Sequence, residues 1–180
     1  SRAPVVLQLL GGNPEVLARS AVNAVTAGAV AIDLNFGCPA KTVNRNDGGA
    51  ALLKHPNRIY EIVRTVRGAL PKSVSLSAKL RLGWDNISDL QRNAEMACLG
   101  GADWLTIHAR TKSQGYKPPV YWPEIAKVKK NISVPVIANG DIWTFDDFRR
   151  CRDITECEHF MLARAALGNP FLVNQCAKEL

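Results

Sequence analysis

Residues 74–110 read VSLSAKLRLGWDNISDLQRNAEMACLGGADWLTIHAR. An apolar run, Val74–Leu82, is followed by a stretch of helical spacing near Ile87–Leu99 and by a second apolar run, Trp104–Ala109. Trp104–Ala109 does not alternate cleanly, as most of the predicted strands do not, which predicts strands buried on both faces, although Val74–Leu82 alternates residue by residue. Strand, helix and strand in this order predict a parallel βαβ unit. The pattern continues outward in both directions. Upstream, Val5–Leu10 precedes a helix near Pro14–Ala27, and Ala31–Phe36 precedes a loop and a helix near Arg58–Ala69. Downstream, a short helix near Pro123–Lys130 leads to Val134–Ala138, a helix near Thr144–Arg152, His159–Ala163 and a last helix from about Pro170. Repeated βα units predict an α/β fold around a parallel sheet.

Reactive polar residues gather at the strand ends: Gln8, Asn35, Cys38, Lys79, Arg81, His108, Arg110, Asn139, Asp141 and Arg164. A doubly wound sheet collects its ligands at one switch point, whereas a barrel uses the C-terminal ends of all its strands. Every predicted strand contributes here, so the expected fold is a (β/α)8 TIM barrel. The 180 residues and six predicted strands fall short of a closed barrel, which takes about 250 residues. Small-residue loops, Asn139-Gly140-Asp141 and Ala163-Arg164-Ala165, follow the last two strands. Barrels commonly hold phosphate in the loops after strands seven and eight. The expectation is therefore a partial barrel over residues 1–180, comprising strands three to eight, with the first two strands upstream of Ser1.

At 47% apolar and 22% charged residues, the composition is that of a globular domain with a sizeable core. No apolar stretch reaches the roughly 18 to 20 residues of a membrane span, and the first residues lack the order of a signal peptide. Five cysteines without a CxxC pair argue against a metal site and against a disulfide framework, and a reducing cytoplasm is the expected location. Nothing in the sequence implies an oligomer. The net charge of +7 suggests a polyanionic partner.

The richest stretch runs Asp33-Leu34-Asn35-Phe36-Gly37-Cys38-Pro39-Ala40-Lys41 and on through Asn44 to Gly48-Gly49. Gly37 and Pro39 fix an irregular turn that presents Cys38 at the barrel mouth. Cys98, Cys151, Cys157 and Cys176 lack such surroundings and read as small buried hydrophobes.

In this stretch, in Lys79-Leu80-Arg81-Leu82-Gly83, in Ile107-His108-Ala109-Arg110-Thr111 with Gln114-Gly115-Tyr116, and in Ile137-Ala138-Asn139-Gly140-Asp141-Ile142, the chain resembles the tRNA-dihydrouridine synthase family. The four motifs, in order, cover nearly the whole chain. Gly83-Trp84-Asp85 and Ile142-Trp143 are most similar to the bacterial branch associated with uridine 16, in the D-loop of tRNA.

The resemblance implies reduction of the uracil C5=C6 bond, with hydride from N5 of reduced FMN to C6 and a proton from Cys38 to C5. A thiol of ordinary pKa, about 8.5, is mostly protonated at pH 7 and suits that role. NADPH is the implied reductant, and the absence of a GxGxxG run fits transient docking on the flavin. Lys79 would face the N1–C2=O edge of the flavin, Gln8 its ring, and His108 both flavin and substrate. Asn139, Gly140 and Asp141 would offer backbone N–H groups to the FMN phosphate, aided by the following helix N-terminus. Arg164 would pair with the same phosphate.

Asn35, Lys41, Asn44, Arg81 and Arg110 are the expected substrate and tRNA contacts, with Lys112 and Lys117 on the loop after His108. The family usually carries glycine where this chain has Ala163, and a methyl there is expected to narrow the approach to phosphate. A C-terminal helical tRNA-binding domain is implied outside this chain. Other FMN barrel reductases, or a non-catalytic RNA-binding protein on the same fold, would not need these motifs together.

Overall fold

A computed structural model describes residues 5–180. Six parallel strands, β1 (Val6–Leu9), β2 (Ala31–Asn35), β3 (Ser75–Arg81), β4 (Trp104–His108), β5 (Val136–Asn139) and β6 (His159–Met161), pair in the order in which they occur. An order that never reverses has no switch point, so the sheet is a run of consecutive barrel strands and the fold is a partial (β/α)8 TIM barrel. The helices are α1 (Pro14–Thr26), α2 (Lys41–Arg45), α3 (Pro56–Ala69), α4 (Leu90–Gly100), α5 (Trp122–Lys130), α6 (Phe145–Thr155), α7 (Arg164–Gly168) and α8 (Phe171–Ala177). The predicted elements all form, with ends shifted by a few residues. Three short ones went unread: α2, a 3-10 helix over Gly49–Lys54, and α7. Five or six residues hold too few turns for a hydrophobic period to show.

Local chemistry sets the helix starts. Asn13 caps α1, its Oδ1 accepting from Val16 N at 3.0 Å, with Pro14 in the first turn. Thr144 and Asp147 form a reciprocal capping box on α6. The central strands β2 to β4 are largely buried on both faces, β3 included although its sequence alternates apolar and polar residues. Ile32, Leu76, Leu80 and Ile107 pack with Ile59, Ile62, Val63 and Val66 of α3 in one continuous core. Truncating Ile62, which is fully buried, to alanine would cost about 2–5 kcal/mol. That core holds the C-terminal ends of the strands, and the polar residues on them, in fixed register.

Candidate active site

A cleft of about 430 Å³ opens at the C-terminal ends of the strands. Gln8, Asn35, Cys38, Lys79, Arg81, His108, Asn139, Gly140, Asp141, Ala163 and Arg164 all line it, so eleven of the residues singled out from sequence meet in one place.

Cys38 sits in a loop held from several sides. Asn35 Oδ1 accepts from the backbone N–H groups of Gly37 and Cys38, both at 2.9 Å. The Cys38 carbonyl accepts from Asn44 Nδ2 at 2.9 Å and from Ala50 N at 3.0 Å. Gly49 lies beneath it with φ 59°, and a β-carbon there would come within 2.9 Å of Cys38 Cβ, so only glycine fits. Arg81 is buried and donates to the carbonyls of Gly37 (2.8 Å), Gly115 (2.9 Å) and Thr111 (3.2 Å). It thereby ties the cysteine loop to the loop that carries Tyr116. The other four cysteines are buried or half-buried, and burial pushes their thiols up, to about 11 for Cys98 and about 12 for Cys151.

Lys79 projects into the cleft from β3. Burial, with Arg81 adding to it, pulls its ammonium down to about 8, while Asp33 opposes the shift. His108 is pulled down to about 3 by burial and by the charges of Arg81, Lys79 and Arg110, so it is neutral at ordinary pH. Its Nδ1 is buried and has no hydrogen-bond partner among the described residues. A neutral imidazole at the wall of a cleft with an unsatisfied ring nitrogen suits a polar ligand.

On the opposite wall, Gly140 has φ 123°, and a β-carbon there would crowd His108 Cδ2 at 3.2 Å and Ala109 N at 3.3 Å. Its carbonyl accepts from Trp122 Nε1 at 2.9 Å. The Asn139 amide donates to the Met161 carbonyl at 2.9 Å. Arg164 is half exposed, 3.7 Å from Asp141 Oδ1, with its guanidinium 4.7 Å from the Tyr116 ring centroid and 5.0 Å from that of Trp143.

The structure corrects two readings. Arg110 does not lie on an RNA-facing loop: it is fully buried and forms a two-pronged pair with Asp141, with one contact at 3.0 Å, and also donates to the Pro119 carbonyl at 3.1 Å. Burial alone would raise the Asp141 carboxyl, but the Arg110 hydrogen bonds and charge, with Arg164, hold it below the usual carboxylate range. At the helix after Asn139-Gly140-Asp141, the N–H groups of Trp143 and Thr144 are not free for an anion, because Asp147 Oδ2 accepts from both, and Asp147 N donates to Thr144 Oγ1. Ala163 is exposed at the cleft, with φ −80° and ψ −99°.

Asn44 lies under the cysteine loop and not on the cleft wall. Lys41 is exposed at the start of α2, outside the cleft. Lys112 lies 4.0 Å over the Trp84 ring, and Lys117 is exposed. Sequence reasoning missed Tyr116, Trp143 and Met161 as lining residues, and Asp33 beneath them. A carboxylate inside the apolar run Ala31–Phe36 was the one available signal, since such a charge needs partners.

A family model described as dihydrouridine synthase matches residues 1–180. Curated relatives include a tRNA-dihydrouridine(16) synthase of Ralstonia nicotianae, 48% identical over 96% of this chain and 53% of its own length. Another, from Pseudomonas syringae, is 48% identical over 97% of this chain and 55% of its own. The chain thus spans about half the length of the curated relatives it matches. Among solved structures, a mandelate racemase/muconate lactonizing enzyme from a Sulfitobacter species superposes with a TM-score of 0.68 at 16% identity, covering 97% of this chain and 43% of that one. A second, of the same description, from an Azoarcus species gives 0.66 at 15%, covering 97% and 40%. Those likenesses concern the fold alone, whereas the family model and the curated relatives cover sequence, motifs and site together: the chain belongs to the dihydrouridine synthase family.

Proposed function

We propose that this chain carries the catalytic cleft of an enzyme that reduces a uridine of transfer RNA, uridine 16 in the D-loop, to 5,6-dihydrouridine. The observation that supports the reading is the meeting of Cys38, Lys79, His108 and Arg164, from four separate segments, around one cleft. The residues fit an FMN: Lys79 for the ring edge, Arg164 and the Gly140 backbone for the phosphate, and the unsatisfied His108 nitrogen for a further polar contact. Held by these residues, a reduced flavin would supply the hydride for uracil C6, with NADPH as the reductant that would restore it.

Cys38 supplies the proton to C5. Its loop is fixed by backbone hydrogen bonds, so the thiol needs little reorganisation to act. Lys79 keeps positive charge in the cleft below about pH 8. Neutral His108 serves as a hydrogen-bonding group and not as a cation. The target base must leave the tRNA stack to reach the cleft. Exposed Lys41 and Lys117, with Lys112, supply phosphate contacts whose strength falls with salt. The six strands correspond to strands three to eight of the barrel, and the enzyme works in the cytoplasm, where its substrate is.

The test is to map dihydrouridine in tRNA from cells lacking the full gene. Loss at position 16 alone, restored by the gene, is the expected result. An unchanged dihydrouridine pattern contradicts the reading.

A further inference from the structure

Asp33 lies at the centre of β2 between Ile32 and Leu34, and it is only 7% exposed. It stands in register with Gln8 on β1 and Ser77 on β3. Its Oδ2 accepts from Gln8 Nε2 and its Oδ1 from Ser77 Oγ, both at 2.6 Å. Burial raises the Asp33 carboxyl, while the hydrogen bonds from Ser77 and Gln8 and the charge of Lys79 oppose the rise; as a carboxylate it only accepts, and Gln8 turns its NH2 toward it. That leaves Gln8 Oε1 facing the next strand position, where it accepts from Asn35 Nδ2 at 2.8 Å. Asn35, having spent its NH2 on Gln8, has only its Oδ1 left for the backbone N–H groups of Gly37 and Cys38. The series is anchored at both ends, by Asp33, which accepts, and by the backbone N–H groups of Gly37 and Cys38, which can only donate.

We propose that Asp33 is a positioning residue for Cys38, acting through the enforced orientations of Gln8 and Asn35. The proposal rests on the proposed function for its kinetic readout, but the relay is a property of the fold and has a readout of its own. Replacing the carboxylate by an isosteric amide weakens the anchor at its end: one oxygen is left where two accepted from Gln8 and Ser77, both bonds lose their charge assistance, and Asn35 and the Cys38 loop are held less firmly. Moving the acceptor one place along should restore it. In the pair Asp33→Asn with Gln8→Glu, the amide at 33 donates to the carboxylate at 8, which in turn accepts from Asn35 Nδ2. Net charge and side-chain volume are unchanged.

The experiment compares full-length, flavin-loaded wild type, Asp33→Asn and the double variant. It measures kcat and KM for unmodified tRNA, and the rate at which iodoacetamide alkylates Cys38, followed by mass spectrometry of its peptide. For Asp33→Asn, kcat should fall by about tenfold or more with KM for tRNA within about threefold, since misplacing a reacting group costs rate and not binding. Its Cys38 should alkylate several times faster than wild type, and the double variant should recover most of both losses. Wild-type behaviour of Asp33→Asn overturns the proposal. Equal impairment of the single and double variants, or failure of both to fold or hold flavin, leaves Asp33 a packing role only and overturns it as well. A wild-type enzyme without activity on tRNA contradicts the proposed function, and the alkylation rates still decide the role of Asp33.

Discussion

The two walls of the cleft are built differently. On the β1–β3 side, Cys38 is locked by Asn35, Asn44 and Gly49, and behind them stand Asp33 and Arg81 with their hydrogen bonds satisfied. On the β5–β6 side, Arg110 and Asp141 are equally fixed, but Arg164 is half exposed and is held by a 3.7 Å ion pair and two aromatic faces. Under the proposed function, the wall that would aim a proton is pre-organised, and the wall that would meet a phosphate leaves its cation adjustable. This fits the physics of each task. A proton transfer tolerates little displacement, while a point-charge contact with phosphate tolerates more.

The comparison breaks most readily at Cys38. Cys38→Ala should keep bound flavin and lower tRNA reduction by about 10²–10⁴-fold, the usual worth of a positioned acid. Steady-state assays on unmodified tRNA with measured flavin content check it, and near-normal turnover would remove the reason for the rigid wall. The buried pair comes next. Asp141→Ala leaves the fully buried Arg110 guanidinium without its carboxylate and should cost about 3–5 kcal/mol in denaturant unfolding.

Arg164→Ala and Lys79→Ala should each weaken flavin binding by about tenfold, as loss of one charge-assisted contact does, with little effect on unfolding of the flavin-free protein. Flavin titration against denaturation separates the two effects. A further effect is read in acid stability. His108 titrates near 6.5 when unfolded but near 3 when folded, so its contribution is present above pH 6.5 and is lost as pH falls toward 3. His108→Asn should flatten that limb of the stability curve, and an unchanged limb would mean that the imidazole is not held neutral.

Much of this was legible in the sequence, for physical reasons. The strands of a buried parallel sheet are rich in apolar residues, so β2, β3 and β4 could be read directly, even though β3 alternates and β2 carries Asp33, and the polar residues toward their ends marked the mouth. Asn35, Cys38, Lys79 and His108 were found because each closes or follows such a run. Arg110 was misread because its partner, Asp141, lies 31 residues away, and no local pattern distinguishes a buried arginine from a surface one. Asp33 was passed over for the same reason: its partners, Gln8 and Ser77, are 25 and 44 residues distant. Tyr116 and Trp143 sit in loops, where periodicity carries no information.

The most direct measurement follows the flavin itself. Full-length protein is purified, its flavin is reduced chemically without oxygen, and unmodified tRNA is added. The expected result is that tRNA alone reoxidises the flavin, with one dihydrouridine formed at position 16 for each flavin oxidised. Protein that purifies without flavin, or reduced flavin that persists in the presence of tRNA, would contradict the assignment of this cleft.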